Sequence, residues 1–318
     1  MTSADPIRIG ISSCLLGQEV RFDGGHKRDR FLTDTFGPFV EWVPVCPEVE
    51  AGFGTPRESM RLVNDDGRLR LLTVKTGVDL TSTMERYARR RAEQLAGEQL
   101  CGYVLKKDSP SCGMERVKVY DAHKVPTRSG QGLFAAALRE QQPFLPVEEE
   151  GRLLDPRLRD NFIERVFAFR RLQELFGGHW TAGALVRFHT AHKLTLMAHS
   201  PRAYQSLGQL VARAKQLAKP ALEARYTEEF MRALETVATT RRHTNVLQHM
   251  AGYFKTILDD ASRAELGETI EDYRVGLVPL IVPITLLRHY VRHHDVPYLA
   301  GQVYLEPHPK ELMLRNHV

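Results

Sequence analysis

The sequence predicts an α/β domain, built on a mostly parallel sheet with flanking helices, followed by an all-α domain. Three observations predict this. Short β-rich runs alternate with stretches of helical periodicity as far as Gln141, the pattern of a parallel sheet with crossover helices. After a connector, Gln142 to Arg157, helical periodicity alone remains. The charge changes at the same place: residues 1–150 hold 21 Lys+Arg against 22 Asp+Glu, whereas residues 151–318 hold 23 against 17 and eleven of the 13 histidines. At about 150 residues per domain, the 318 residues make two domains, placed at 1–152 and 153–318.

In chain order, Ile7 to Ser12 is a β-rich run that ends in a cysteine-containing loop, and Val40 to Val45 is a second, ending at Cys46. Arg70 to Val74 reads as a strand. Ser82 to Leu100 reads as a helix: Ser82 or Thr83 caps it, and Tyr87, Ala88, Ala92, Leu95 and Ala96 recur at helical spacing. Gly102 to Leu105 and Val117 to Tyr120 are further strands. Leu133 to Gln141 is a helix entered through the turn Ser129-Gly130-Gln131-Gly132. The connector is rich in proline and acids. Beyond it, Asp160 to Phe176, Ala182 to Met197, Ser200 to Leu217, Pro220 to Ala238, His243 to Leu258, Ser262 to Tyr273 and Gly276 to His293 read as helices. Pro201 and Pro220 fall near helix starts, where proline is tolerated.

The composition, 42% hydrophobic and 26% charged, is that of an ordinary globular chain and excludes a disordered or fibrous one. Four cysteines are too few for a disulfide scaffold at this length. Met1 to Gly10 lacks a basic segment followed by a long apolar core, so no leader is expected. The longest apolar run, Val275 to Leu287, is interrupted by Pro279 and Pro283 and is too short to span a membrane. A cytoplasmic location is therefore expected, with the cysteines reduced and free to bind metal or react.

Three cysteines occupy loop positions beside strand ends: Cys14 in Ser12-Ser13-Cys14-Leu15-Leu16-Gly17, Cys46 in Val45-Cys46-Pro47-Glu48, and Cys112 in Ser109-Pro110-Ser111-Cys112-Gly113. Ends of parallel strands converge on one sheet edge, where ligands bind. The spacings, 32 and 66 residues, include no Cys-x-x-Cys pair, which disfavours structural zinc. Three thiolates without a nearby fourth ligand suit a [4Fe–4S] cluster with one open iron; small buried residues are the alternative. Cys101, just before an apolar strand, reads as a core residue. Glu48 places a carboxylate near the cysteines as a candidate acid or base. Ser109, Ser111, Asp23 and Lys107 are candidate polar contacts for a substrate, or ordinary turn and surface residues.

The segments Ile11 to Gly17, Arg21-Phe22-Asp23-Gly24-Gly25, Val45 to Val49, Thr55-Pro56-Arg57 and Lys107 to Gly113 resemble the TudS-type thiouracil desulfidases over roughly residues 7–150. The second half resembles a helical domain of unknown function often fused behind them, through His192-Lys193-Leu194, Met197-Ala198-His199-Ser200-Pro201 and Pro307 to Leu312. The two-domain arrangement is similar to the RudS-type enzymes that desulfurate 4-thiouridine in tRNA. The resemblance implies that Cys14, Cys46 and Cys112 bind a [4Fe–4S] cluster with one open iron and that Glu48 and Ser109 are catalytic. The family commonly has a Gly-Gly pair after the Cys-Pro-Glu motif, where this sequence has Val49-Glu50-Ala51-Gly52, so Glu50 competes with Glu48 for the carboxylate role. The implied reaction is a non-redox desulfuration of thiolated pyrimidines.

A tRNA partner would engage the basic second half through its phosphates, with Lys193, Arg213, Lys215, Arg241, Arg242, His243, Lys255, Arg288 and Lys310 as candidates. His249, Tyr253, His289 and Tyr290 are candidates for base stacking, or for the core. Two other readings stand beside this one: a non-catalytic nucleic-acid-binding protein with a structural iron–sulfur or zinc site, and a cluster-bearing sensor.

Overall fold

The computed structural model describes residues 6–318; residues 1–5, on which part of the leader expectation falls, lie outside the described residues. The chain divides between Leu154 and Asp155 into two compact units. In the first, the described residues form eight strands: β1 (Arg8–Ser12), β2 (Glu41–Val45), β3 (Met60–Asp65), β4 (Arg68–Thr73), β5 (Gly102–Leu105), β6 (Val117–Tyr120), β7 (Pro126–Gly130) and β8 (Val147–Glu149). Three helices accompany them: α1 (Pro47–Glu50), α2 (Thr81–Ala96) and α3 (Leu133–Gln141).

The strands make two sheets. The first, in the order β2-β1-β5-β8, is wholly parallel. Its central strands are buried almost throughout, with Ile9, Ile11, Val104 and Leu105 fully enclosed, as expected of a parallel sheet covered on its faces. Gly10 pairs with Tyr103, and a Cβ there would come 2.1 Å from the Tyr103 ring. Only glycine lets that buried ring lie flat against β1.

The second sheet, in the order β4-β3-β6-β7, is mixed and contains two antiparallel hairpins. The expected strands Arg70 to Val74 and Val117 to Tyr120 correspond to β4 and β6, whereas their hairpin partners β3 and β7 are not signalled by the sequence. The expected turn Ser129-Gly130-Gln131-Gly132 overlaps β7, an exposed edge strand that runs from Pro126 to Gly130. β8 was read as part of the connector because it carries Glu148 and Glu149. Both acids are buried and partnered: Arg152 Nε donates to Glu148 Oε1 (2.7 Å), and the Met114 N–H donates to Glu149 Oε1 (2.7 Å). Burial pushes the Glu149 carboxyl above its usual range.

The second unit is helical: α4 (Pro156–Phe176), α5 (Ala182–His199), α6 (Pro201–Ala212), α7 (Lys219–Glu235), α8 (Thr240–Ala251), α9 (Asp260–Val275), α10 (Ile281–His293) and the single turn α11 (Pro297–Ala300). Side-chain caps start most of them. Asp155 accepts from the Arg157 and Leu158 N–H groups, and Thr181, Ser200, Thr239 and Asp259 cap α5, α6, α8 and α9. The expected helix from Gly276 begins later, at Ile281, because Gly276 adopts a left-handed conformation (φ 83°) that closes α9. No helix among the described residues is long and apolar enough to cross a membrane.

A buried ionic cluster joins distant segments of this unit. His199 Nε2 meets Glu164 Oε2 at 3.2 Å, His308 Nε2 meets Asp160 Oδ1 at 3.0 Å, and Arg315 Nη2 lies 3.7 Å from Glu164 Oε1. Arg315 Nη1 also donates to the Tyr304 carbonyl (2.5 Å). His199 and His308 lie in two of the three stretches that carry the helical-domain resemblance, and both side chains are buried in this cluster.

Candidate active site

Three strand-end loops of the parallel sheet build one cavity of about 330 Å³. The turn Ser13–Leu16, directly after β1, carries Cys14 and is closed by Gly17 in a left-handed conformation. Cys46 follows β2 and immediately precedes α1, with Pro47 in the first helical turn. Cys112 lies in the loop after β5, where Ser109 Oγ accepts from the N–H groups of Ser111 (3.2 Å) and Cys112 (3.1 Å). Cys14, Cys46, Cys112, Glu48, Ser109 and Lys107 all line the cavity, with Arg21, Phe22, Met60 and Lys106 also contributing. Cys101 is fully buried outside it.

Burial raises all three thiols: Cys14 to about 11, Cys46 upward, and the enclosed Cys112 well above its ordinary value. Thiols of this kind are poor nucleophiles on their own; a bound metal is what converts them to thiolates. Among the described residues no three His, Cys, Asp or Glu side chains converge as they would around a single metal ion. What the three cysteines share is the lining of this one cavity.

The two candidate carboxylates are held differently. Glu48 lies on α1 facing the cavity; Ser111 Oγ donates to its Oε1 at 3.0 Å and Ser109 Oγ at 3.4 Å, while Arg57 Nε donates to Oε2 at 2.9 Å. Glu50 does not line the cavity. Its Oε1 accepts from the Cys46 N–H (3.0 Å) and its Oε2 accepts from Tyr87 Oη (2.6 Å), with Arg91 at 3.4 Å. Arg57, of the Thr55-Pro56-Arg57 motif, pairs with Glu48 nine positions earlier across the end of α1 and the loop after it, a separation with no periodicity to signal it.

Of the remaining substrate-contact candidates, Lys107 lines the cavity, whereas Ser111 is fully buried behind Glu48. Asp23 is exposed and turned to its own loop, accepting from the Gly25 N–H (3.1 Å), which holds its carboxyl below the usual range. Neither Ser111 nor Asp23 is among the cavity-lining residues.

In the helical unit, Arg213, Lys215, Arg241, Lys255 and Lys310 are exposed and Lys193 is half-buried. Arg242 donates to the His199 carbonyl (2.7 Å) and Arg288 pairs with Glu306, so both serve internal contacts. His243 is buried against Tyr304 and Tyr290 lies in the core, which removes both from a surface role. Tyr253 is exposed and stacks on Tyr298.

Residues 9–150 match the 2-thiouracil desulfurase family, and residues 193–309 match a family of unknown function, DUF1722. Uncharacterized protein YbgA of Escherichia coli is 36% identical over 163 residues, 50% of this chain and 95% of that protein. Uncharacterized protein YbbK of Bacillus subtilis is 32% identical over 143 residues, 41% of this chain and 88% of that protein. A solved structure titled [4Fe-4S]-dependent thiouracil desulfidase TudS is 29% identical and covers 46% of this chain and 93% of its own, with a TM-score of 0.38. The chain belongs to the 2-thiouracil desulfurase family, with a DUF1722 region behind the desulfurase segment.

Proposed function

We propose that the protein is an iron–sulfur-dependent desulfidase that converts thiolated pyrimidines to their oxo forms, with 4-thiouridine in tRNA as its substrate. The observation that carries this is the convergence of Cys14, Cys46 and Cys112 on one cavity that also holds Glu48 and Ser109. The donor set fits a [4Fe–4S] cluster: three soft thiols line the cavity, and among the described residues neither a fourth cysteine nor a histidine lines it. When bound, the cluster supplies an open iron, a soft Lewis acid suited to the thiocarbonyl sulfur.

The chain's own groups account for the rest. Glu48 takes a proton from a water, whose oxygen adds to the ring carbon that bears sulfur. The C–S bond then breaks, a carbonyl remains, and sulfur departs as sulfide. One water is consumed and no electrons are exchanged. Ser109 orients the water or the ring, and Lys107 meets the polar edge of the base or its sugar-phosphate. The +6 balance of residues 151–318 and the exposed Arg213, Lys215, Arg241, Lys255 and Lys310 support capture of tRNA phosphates, and the modified base would be swung out to enter the cavity.

Anaerobic reconstitution followed by assay on free thiouracils and on 4-thiouridine tRNA tests both levels. Expected are about four irons and four sulfides per chain, sulfide release from both substrate classes, and tRNA turnover that falls with salt. Absence of any turnover by the loaded protein rejects the desulfidase reading; turnover of free bases alone rejects the tRNA substrate. Cys46→Ala should lose the cluster absorption and all activity. Gly132→Ala should act more locally. A Cβ there would sit 2.5 Å from the Ser111 carbonyl group and 2.9 Å from the Cys112 nitrogen, so backbone must shift, at a cost of about 1–3 kcal/mol. Iron content is expected to fall with thermal stability, and wild-type values of both would show that this turn does not set the cysteine's position.

A further inference from the structure

Arg57 is almost enclosed, with 6% of its side chain exposed. Nε donates to Glu48 Oε2 at 2.9 Å, and Nη2 approaches the same oxygen more closely still. Nη1 donates to the carbonyls of Val20 and Gly54, each at 2.9 Å, and the Arg57 N–H donates to the Phe22 carbonyl at 2.9 Å. All three guanidinium nitrogens are thus spent inside the protein. On the other side of the carboxylate, the buried Ser111 hydroxyl donates to Oε1. One side chain therefore fixes the Glu48 carboxylate and fastens the loop that brings Phe22 to the cavity.

We propose that Arg57 is the positioning residue of the desulfuration, holding Glu48 at the angle from which it serves the attacking water, without touching the substrate. This rests on the desulfidase reading above. The planar fork matters because a lysine ammonium cannot hold one carboxylate oxygen and two carbonyls in a fixed plane at once. A displacement of about 1 Å in a catalytic group costs on the order of 10²-fold in rate, and the loss falls on kcat because no substrate contact is removed.

The test compares the wild type, Arg57→Lys, Glu48→Gln and the double variant as reconstituted full-length proteins, reading kcat and KM on thiouracil together with iron content and cluster absorption. For Arg57→Lys, expected results are iron content and KM within about twofold of wild type and kcat lowered about 10²-fold. In the Glu48→Gln background the same substitution should change kcat by less than about twofold, since a residue acting only through Glu48 has nothing left to position. Guanidinium ion added to Arg57→Ala should restore part of kcat. An active wild type beside an Arg57→Lys protein with unchanged kcat, or with a loss that tracks its iron content, overturns the role of Arg57. So does full additivity in the double variant. A loaded wild type with no turnover on any thiolated pyrimidine overturns the desulfidase reading itself, and the role with it.

Discussion

Glu48→Gln is expected to lower thiouracil turnover by about 10²–10⁴-fold, the contribution of a positioned general acid or base, while the cluster absorption stays near wild type. The amide keeps the size of the carboxyl; its single oxygen can go on accepting from Arg57, while its NH2 faces the Ser111 hydroxyl, which can turn to accept from it, so the surrounding loops have little reason to move. It cannot take a proton from water. Its loss of charge does leave the enclosed Arg57 guanidinium without a counter-ion, and a lower Tm should accompany the kinetic loss. Glu50→Gln is the informative companion. Glu50 is bonded to the Cys46 N–H and to the Tyr87 hydroxyl, so its substitution should loosen Cys46 and reduce iron content, with kcat per cluster preserved. The two variants separate chemistry from scaffolding by iron analysis beside steady-state kinetics. A fully loaded Glu48→Gln protein with wild-type kcat would reject Glu48 as the proton-transfer residue.

Acidification from pH 7 to 4.5 is expected to unfold the helical unit first. Burial lowers His189 and His192 to about 4 and His243 to about 3. Nε2 of His189 and of His192 is buried without a hydrogen-bond partner. In the unfolded chain these rings titrate near 6.5, so below that pH the unfolded state binds more protons and stability falls as the pH drops, by roughly 2–3 kcal/mol per histidine. At about 2–4 °C per kcal/mol, Tm should fall by well over 10 °C, measurable by circular dichroism on the whole chain. The Glu164–His199 pair acts at other pH values. Burial alone would lower His199, but its hydrogen bond to Glu164 and that group's charge outweigh burial and raise it. Its contribution is complete below the unfolded value and is lost as the pH rises through the raised one. Glu164 is held far below the usual carboxylate range, again against burial, by His199 and Arg315; its contribution is lost only on descending below the ordinary carboxylate values. A Tm that stays flat between pH 7 and 4.5 would mean that these histidines are not buried neutral.

The cysteines were legible in the sequence because local signals sufficed. Each follows a short β-rich run, and strands of one parallel sheet end on one edge, so Cys14, Cys46 and Cys112 could be brought together on paper. What distinguishes the surroundings of Glu48 from those of Glu50 is not local. It depends on Tyr87, which lies on α2, and on Arg57, which reaches back from a loop with no repeating pattern. β8 was illegible for a related reason: buried acids look like surface residues until Arg152 and the Met114 N–H are seen to satisfy them. In the helical unit the periodicity located the helices well but could not foresee the partners that Arg242 and Arg288 find within the protein.

The ionic cluster of the helical unit also orders events in time. Glu164 sits on the first helix of that unit, and Arg315 is 151 positions further along the chain. During synthesis His199 arrives 35 positions after Glu164, so one partner of the carboxylate is made early. The second, Arg315, comes much later, and full enclosure of the carboxylate between the two waits for it. The short turns that carry Tyr304 and Arg315 therefore finish a compartment that the earlier helices only begin.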